Sequence, residues 1–174
     1  MASTSTSWVD ALLLQLQRKI AGTPLLKTFD GILADKITNG IHLAVFVEPY
    51  LSFVLEGKKT VESRFSLNRH APYEQVHNGD LLVLKKSSGP ICGVCRVSNV
   101  WYYRLDPSSW ADIEQHASAL CMDESPFWAN KRKASFATLM RLEKVIPISD
   151  IPIDKGDPRG WVVLKNAKRQ ASLI

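Results

Sequence analysis

Residues Gly57, Lys58, Lys59, Thr60, Val61, Glu62, Ser63 and Arg64 carry more ionic chemistry than a short strand needs in order to fold. Read as a strand, Thr60 to Phe65 alternates: Val61, Ser63 and Phe65 share one face, and Thr60, Glu62 and Arg64 share the other. A turn at Gly57 delivers Lys59 beside that polar face. If the face lines a cleft, Lys59 and Arg64 offer two fixed cations and Glu62 one carboxylate to a polar ligand. On a solvated strand the same Glu62 and Arg64 are an ordinary ion pair, worth less than about 1 kcal/mol.

Other residues of chemical interest are weaker. His70 and His77 follow the charged segment and have the side chain of a general acid or base, although loop histidines without such a role are more common. Cys92 and Cys95 have the spacing of a redox or zinc pair, but on a strand they point to opposite faces. His116 and Cys121 are the only nearby candidates for a second ligand pair, so the cysteines read as structural thiols and no metal is expected. Trp101, Tyr102, Tyr103 and Arg104 form either a stacking platform or, in part, core. Phe127 and Trp128 lead into Lys131, Arg132 and Lys133, a solvated basic turn or a phosphate track. No glycine-rich phosphate loop, catalytic triad or carboxylate dyad stands out, and no cofactor is expected.

The elements that position these residues can be read from periodicity. Ser7 and Asp10 have capping-box spacing, and Leu12, Leu13, Leu16 and Ile20 form an apolar stripe ending near Gly22. Thr23 and Pro24 open a second helix with Leu25, Leu26, Phe29, Ile32 and Leu33 inward. From Ile41 the pattern changes to strands: Ile41–Val47, then a short helix after Pro49 closed by Gly57, then the charged strand. The turn Asn78, Gly79, Asp80 leads into Leu81–Lys86, and Ser87–Pro90 reverses the chain into Ile91–Val100. Ser109 and Asp112 are expected to cap a helix through Leu120, Pro126 to start another, and 135–147 and 160–165 to be strands. Five or more short strands without a βαβ rhythm predict a small barrel-like α+β domain. The expected division is an N-terminal helical hairpin over 1–40, a barrel domain over 41–167 and a basic tail over 168–174.

Bulk properties agree with one globular domain of 174 residues, 45% apolar, with a formal charge of +5. The excess is uneven, since residues 131–174 carry ten basic and four acidic side chains. That is either a footprint for polyanions or a solvated tail. No apolar run approaches a membrane span, no basic secretory leader opens the chain, and the three cysteines cannot all pair; a soluble cytoplasmic protein is expected.

The pattern Gly57-x-Lys59-x-x-Glu62-x-Arg64 resembles the signature of the ASCH domain, a PUA-like β-barrel family. Glu48 and Pro49 ahead of it, Asn78-Gly79-Asp80, Lys85-Lys86, and the late segment Asp157 to Val163 agree in order, so the resemblance covers about residues 41–165. It implies a cleft between barrel and helix floored by the charged strand. It also implies RNA or a modified nucleotide as ligand, with Lys59 and Arg64 on phosphate, Glu62 on base or sugar donors, and Thr60 on the same face. Arg159 and Trp161, two residues apart on a strand, are expected to share a face at the rim. Some ASCH-like proteins are amidohydrolases acting on acylated cytidine. They resemble this chain at Lys59 but place a threonine nucleophile where it has Glu62, and Thr60 is in a different register.

Binding of single-stranded RNA or a nucleotide is therefore the leading expectation. Changing Lys59 and Arg64 to Ala is expected to weaken binding without unfolding the protein. The alternatives are a hydrolase using Lys59 and Glu62, on an acylated nucleoside or on RNA, and a protein-interaction module contacting a partner through residues 7–33.

Overall fold

The structure, a computed structural model, describes residues 7–123, 126–154 and 156–168. It opens with two helices, α1 (Trp8–Lys19) and α2 (Leu26–Leu33). Ser7 caps α1, its hydroxyl oxygen accepting the Asp10 N–H at 3.1 Å. Leu12, Leu16, Ile20, Leu25, Phe29 and Ile32 are buried in one cluster with Ile41, Leu43, Leu81 and Val83 of the sheet. The apolar stripe of the hairpin is thus interior and is not an exposed contact surface.

The strands are β1 (Ile41–Phe46), β2 (Val61–Ser66), β3 (Leu81–Lys86), β4 (Ile91–Arg104), β5 (Phe136–Ile151) and β6 (Trp161–Lys165). They form one curled sheet in the order β2-β5-β4-β3-β1-β6, with β1 and β3 parallel and every other pair antiparallel. In β1 and β3 both faces are covered: Ile41, Leu43, Leu81 and Val83 meet the hairpin, while Ala44, Phe46, Leu82 and Leu84 fill the inside of the curl with Cys95, Met140 and Trp161. This is why both strands read as nearly continuous apolar runs. The mixed α+β half-barrel is the PUA-like architecture expected.

The helix α3 (Tyr50–Leu55) follows β1, and α4 (Pro107–Glu114), α5 (Ala117–Leu120) and α6 (Phe127–Lys131) lie between β4 and β5. A third cluster, including Val61, Trp110, Ile113, Leu120, Met122 and Leu139, forms beneath these last three. Here the structure corrects the expected cap. Asp106 starts α4, accepting the Ser109 N–H at 2.7 Å while the Ser109 hydroxyl takes the Asp106 N–H at 2.8 Å. Pro107 supplies the first helical turn, so the helix begins before Ser109. It also breaks at Gln115, and α5 is a separate turn ending at Cys121 in the left-handed region, φ 58°. β4 and β5 outrun expectation, absorbing Trp101–Arg104 and Ile148–Ile151, with register shifts along their pairing. Among the described residues no helix is long and apolar enough to cross a membrane.

Candidate functional site: a cleft along the open seam of the barrel

The sheet does not close on itself, because β2 and β6 are its two ends. Arg64 of β2 spans the seam. Its Nη2 donates to the Val45 carbonyl at 2.9 Å and its Nη1 to the Gly160 carbonyl at 3.3 Å. The guanidinium lies over the rings of Phe46 and Trp161, 5.0 and 5.5 Å from their centroids. Two openings flank this crossbar. One, of about 350 Å³, lies against Val45–Val47, Tyr50, Lys59, Glu62, Ser63, Met122 and Lys131. The other, of about 280 Å³, lies against His70–Tyr73, Thr138 and Arg159–Trp161, and both touch Arg64 and Phe65.

The larger opening is built by the turn that follows α3. Gly57 takes φ 77°, and the N–H groups of Lys58 and Lys59 both donate to the Phe53 carbonyl at 2.9 Å. The chain then enters β2 with Lys59 pointing inward, only 1% exposed. Lys59 Nζ donates to the Leu120 carbonyl at 2.9 Å, lies 3.3 Å from Glu62 Oε2, and sits 5.6 Å from the Tyr50 ring centroid. Glu62 is also buried, and its Oε1 lies 2.9 Å from Arg64 Nε. That contact is off the line of the N–H, so the Nε proton itself has no hydrogen-bond acceptor. One buried carboxylate therefore faces two buried or half-buried cations. Among the described residues Glu62 is the only carboxylate lining this opening, and within the cluster it faces two cations, Lys59 and Arg64.

Ser63 was not flagged by its sequence. The carbonyls of Thr60 and Ser66 accept from Leu142 and Ser135, which turns the even-numbered backbone groups of β2 toward β5. By alternation, the N–H and C=O of Ser63 face the seam. Its hydroxyl is buried in the wall with no hydrogen-bond partner.

A buried polar network supports the seam from the β1–β6 side. Trp161 Nε1 can only donate, and it lies 3.2 Å from His42 Nδ1. Nδ1 therefore accepts, which places the ring proton on Nε2, 2.9 Å from Asp80 Oδ2. Asp80 also accepts from the Gly40 and His77 N–H groups at 2.8 Å and from Asn39 Nδ2 at 3.0 Å. Burial pushes this carboxyl up, but the hydrogen bonds from His42, Gly40 and Asn39 outweigh that and hold it below its ordinary value. The signal for this network was the Asn78-Gly79-Asp80 turn, whose carboxylate does more than shape the turn.

The structure brings Lys59, Glu62 and Arg64 together and links them through Arg64 to Arg159 and Trp161. Thr60 is not part of this group: it is exposed, and its N–H and C=O are held by Ala119 and Leu142. Trp161 is buried and walls the smaller opening, whereas Arg159 is exposed and paired with Asp157, which raises its pKa further. His70 borders the smaller opening, but His77 belongs to the Asp80 network. Of the basic C-terminal quarter, Lys131 and Arg159 reach the seam. Lys165 and Lys168 instead clamp Asp35 at 2.9 Å each, and Arg169 lies outside the described residues. Cys95 is buried among apolar groups that push its thiol pKa up, and Cys92, half-buried, is likewise a free thiol.

An open PUA-like half-barrel with a cation-rich cleft at its seam is the class defined by this geometry. The ASCH domain matches residues 45–151, and the chain belongs to that family. Among solved structures it is similar to ASCH from Zymomonas mobilis, with TM-score 0.56, 15% identity, and coverage of 71% of this chain and 87% of that one. Two mutant proteins of the same Zymomonas mobilis ASCH give TM-scores of 0.53 and 0.50 at 13% and 14% identity, covering 73% and 72% of this chain and 89% and 90% of theirs. At such identities the likeness extends to the fold alone. Among curated proteins none matches the chain.

Proposed function

We propose that the chain binds single-stranded RNA, or a nucleotide-like ligand, in the seam cleft. The observation that carries this reading is the two-to-one excess of cations over carboxylate in the Lys59, Glu62, Arg64 cluster. A buried surplus charge is stabilised by an incoming anion. Glu62 supplies an acceptor for base or sugar donors, and Phe65 and Tyr50 line the opening beside it. Basic side chains continue the cleft in both directions, to Lys131 and to Arg159, as an extended strand requires.

The test is RNA binding over a salt series with Lys131→Ala, because Lys131 lines the cleft but lies outside the buried cluster. The expected result is affinity reduced about three- to tenfold and a salt slope shallower by about 0.7 for one lost phosphate contact. No RNA or DNA binding at low salt would overturn the reading. Changing Lys59 and Arg64 together does not serve, since it strands Glu62 and opens the seam.

A second reading, hydrolysis, draws on one specific observation: the buried Lys59–Glu62 pair opens directly on the cleft. Release of product from RNA or from an acylated cytidine, lost in Glu62→Gln, is the outcome that would favour it.

A further inference from the structure

The smaller opening has a different chemistry from the larger one. Among the described residues no carboxylate lines it; its charged or ionisable neighbours are Arg64, His70 and Arg159, the last of these paired with Asp157, above a floor of Tyr73, Thr138 and Trp161. Tyr73 and Trp161 are over nine-tenths buried, and their packing fixes the floor. Tyr73 meets Tyr102 and Phe136 at ring-centroid distances of 5.6 and 5.0 Å. Trp161 is pinned through His42 to Asp80. The opening is therefore preformed, with cations at its mouth and apolar rings at its base.

The two openings share Arg64 and Phe65, so a ligand that fills both must cross the guanidinium. Arg64 uses one N–H of each terminal nitrogen on the carbonyls of Val45 and Gly160. A guanidinium has five N–H groups, so both terminal nitrogens keep a second one. We propose that the smaller opening is a second nucleotide subsite, so that the ligand is at least two linked nucleotides whose connecting phosphate lies on Arg64. This rests on the nucleotide-binding reading of the larger opening. The larger opening, with the Glu62 carboxylate and the unpartnered Ser63 hydroxyl, distinguishes one base from another. The smaller one holds phosphate, sugar and the face of any base. Sequence preference then falls on one nucleotide and not on its neighbour.

The experiment titrates the full chain with the four ribonucleosides and the sixteen ribodinucleoside monophosphates, followed by amide chemical shifts. The best dinucleoside monophosphate is expected to bind about tenfold more tightly than its best nucleoside, as one charge-assisted phosphate contact supplies. Its preference is confined to one position, and the amides of His70, Tyr73 and Gly160 shift only with the longer ligand. Arg159→Ala and His70→Ala, both exposed side chains, reduce the dinucleoside affinity and leave the nucleoside affinity unchanged. Equal affinities for the two ligand sizes, or a gain that survives both substitutions, would overturn the second subsite and leave the first reading intact. If neither ligand nor any longer RNA binds, both readings fall.

Discussion

The chemistry of single residues separates what holds the cleft from what a ligand meets. Lys59 is buried, with its charge spread over the Leu120 carbonyl, Glu62 and the Tyr50 ring. Lys59→Met keeps the volume but leaves that carbonyl unpartnered and Glu62 with one cation. The expected loss is about 2–4 kcal/mol in urea unfolding; stability within 0.5 kcal/mol of the wild type (about one surface substitution's worth) would show that the cluster is not structurally coupled. Asp80 gives a pH-dependent counterpart. Four donors converge on its two oxygens, and an amide in its place offers one acceptor, so Asp80→Asn should cost about 3 kcal/mol near neutrality. Because the folded carboxyl sits below its ordinary 3.8, its stabilisation is complete above that value and is lost as pH falls through the folded value. The difference between wild type and variant should therefore shrink below about pH 4. A gap that stays constant down to pH 2 would assign the loss to packing alone.

At the scale of elements, local signals that depend on neighbours in sequence were legible. The Ser7 cap, the positive φ of Gly57, the alternation of β2 and the two-faced burial of β1 and β3 all follow from adjacent residues. The capping of α4 was misplaced because Asp106 and Pro107 offer a stronger start than Ser109, whose hydroxyl is taken as the N3 partner of Asp106 in the capping box. What the sequence could not reveal is which partners come from far along the chain. The cage around Lys59 is closed by the carbonyl of Leu120, 61 residues away, and nothing in α5 marks that carbonyl as a ligand. Its orientation depends on Cys121, which holds φ 58° immediately after it. Cys121→Val places a β-branched side chain in the left-handed region, at a cost of about 1–2 kcal/mol, whereas Cys121→Gly should be neutral or stabilising. Thermal unfolding of the two variants is the check. Equal melting temperatures would mean that the left-handed turn bears no strain and that α5 tolerates another path.

Across the whole molecule, the half-barrel is held shut in two different ways. On the outer face the α1–α2 hairpin covers β1 and β3, and Leu16, fully buried there, is a load shared by both. Leu16→Ala should cost about 2–5 kcal/mol and leave the proposed RNA binding of the folded protein unchanged, since the hairpin lies away from the seam. On the inner side, where β2 and β6 do not pair, closure depends on a side chain. Arg64 replaces the missing ladder with two hydrogen bonds to carbonyls on separate segments, and Phe46 and Trp161 hold its plane. A lysine at this position keeps the charge but is a point donor and cannot satisfy both carbonyls in one plane. Arg64→Lys should therefore lower stability by about 1–3 kcal/mol and, more tellingly, redistribute it. Amide exchange at Val45, which donates to the Gly160 carbonyl, and along β6 should quicken, while the paired centre of β3, β4 and β5 stays protected. Uniformly faster exchange would mean that the residue contributes to the core as a whole. A change confined to the seam identifies Arg64 as the closure of the barrel, which makes the group that closes the fold the same group that the proposed ligand must cross.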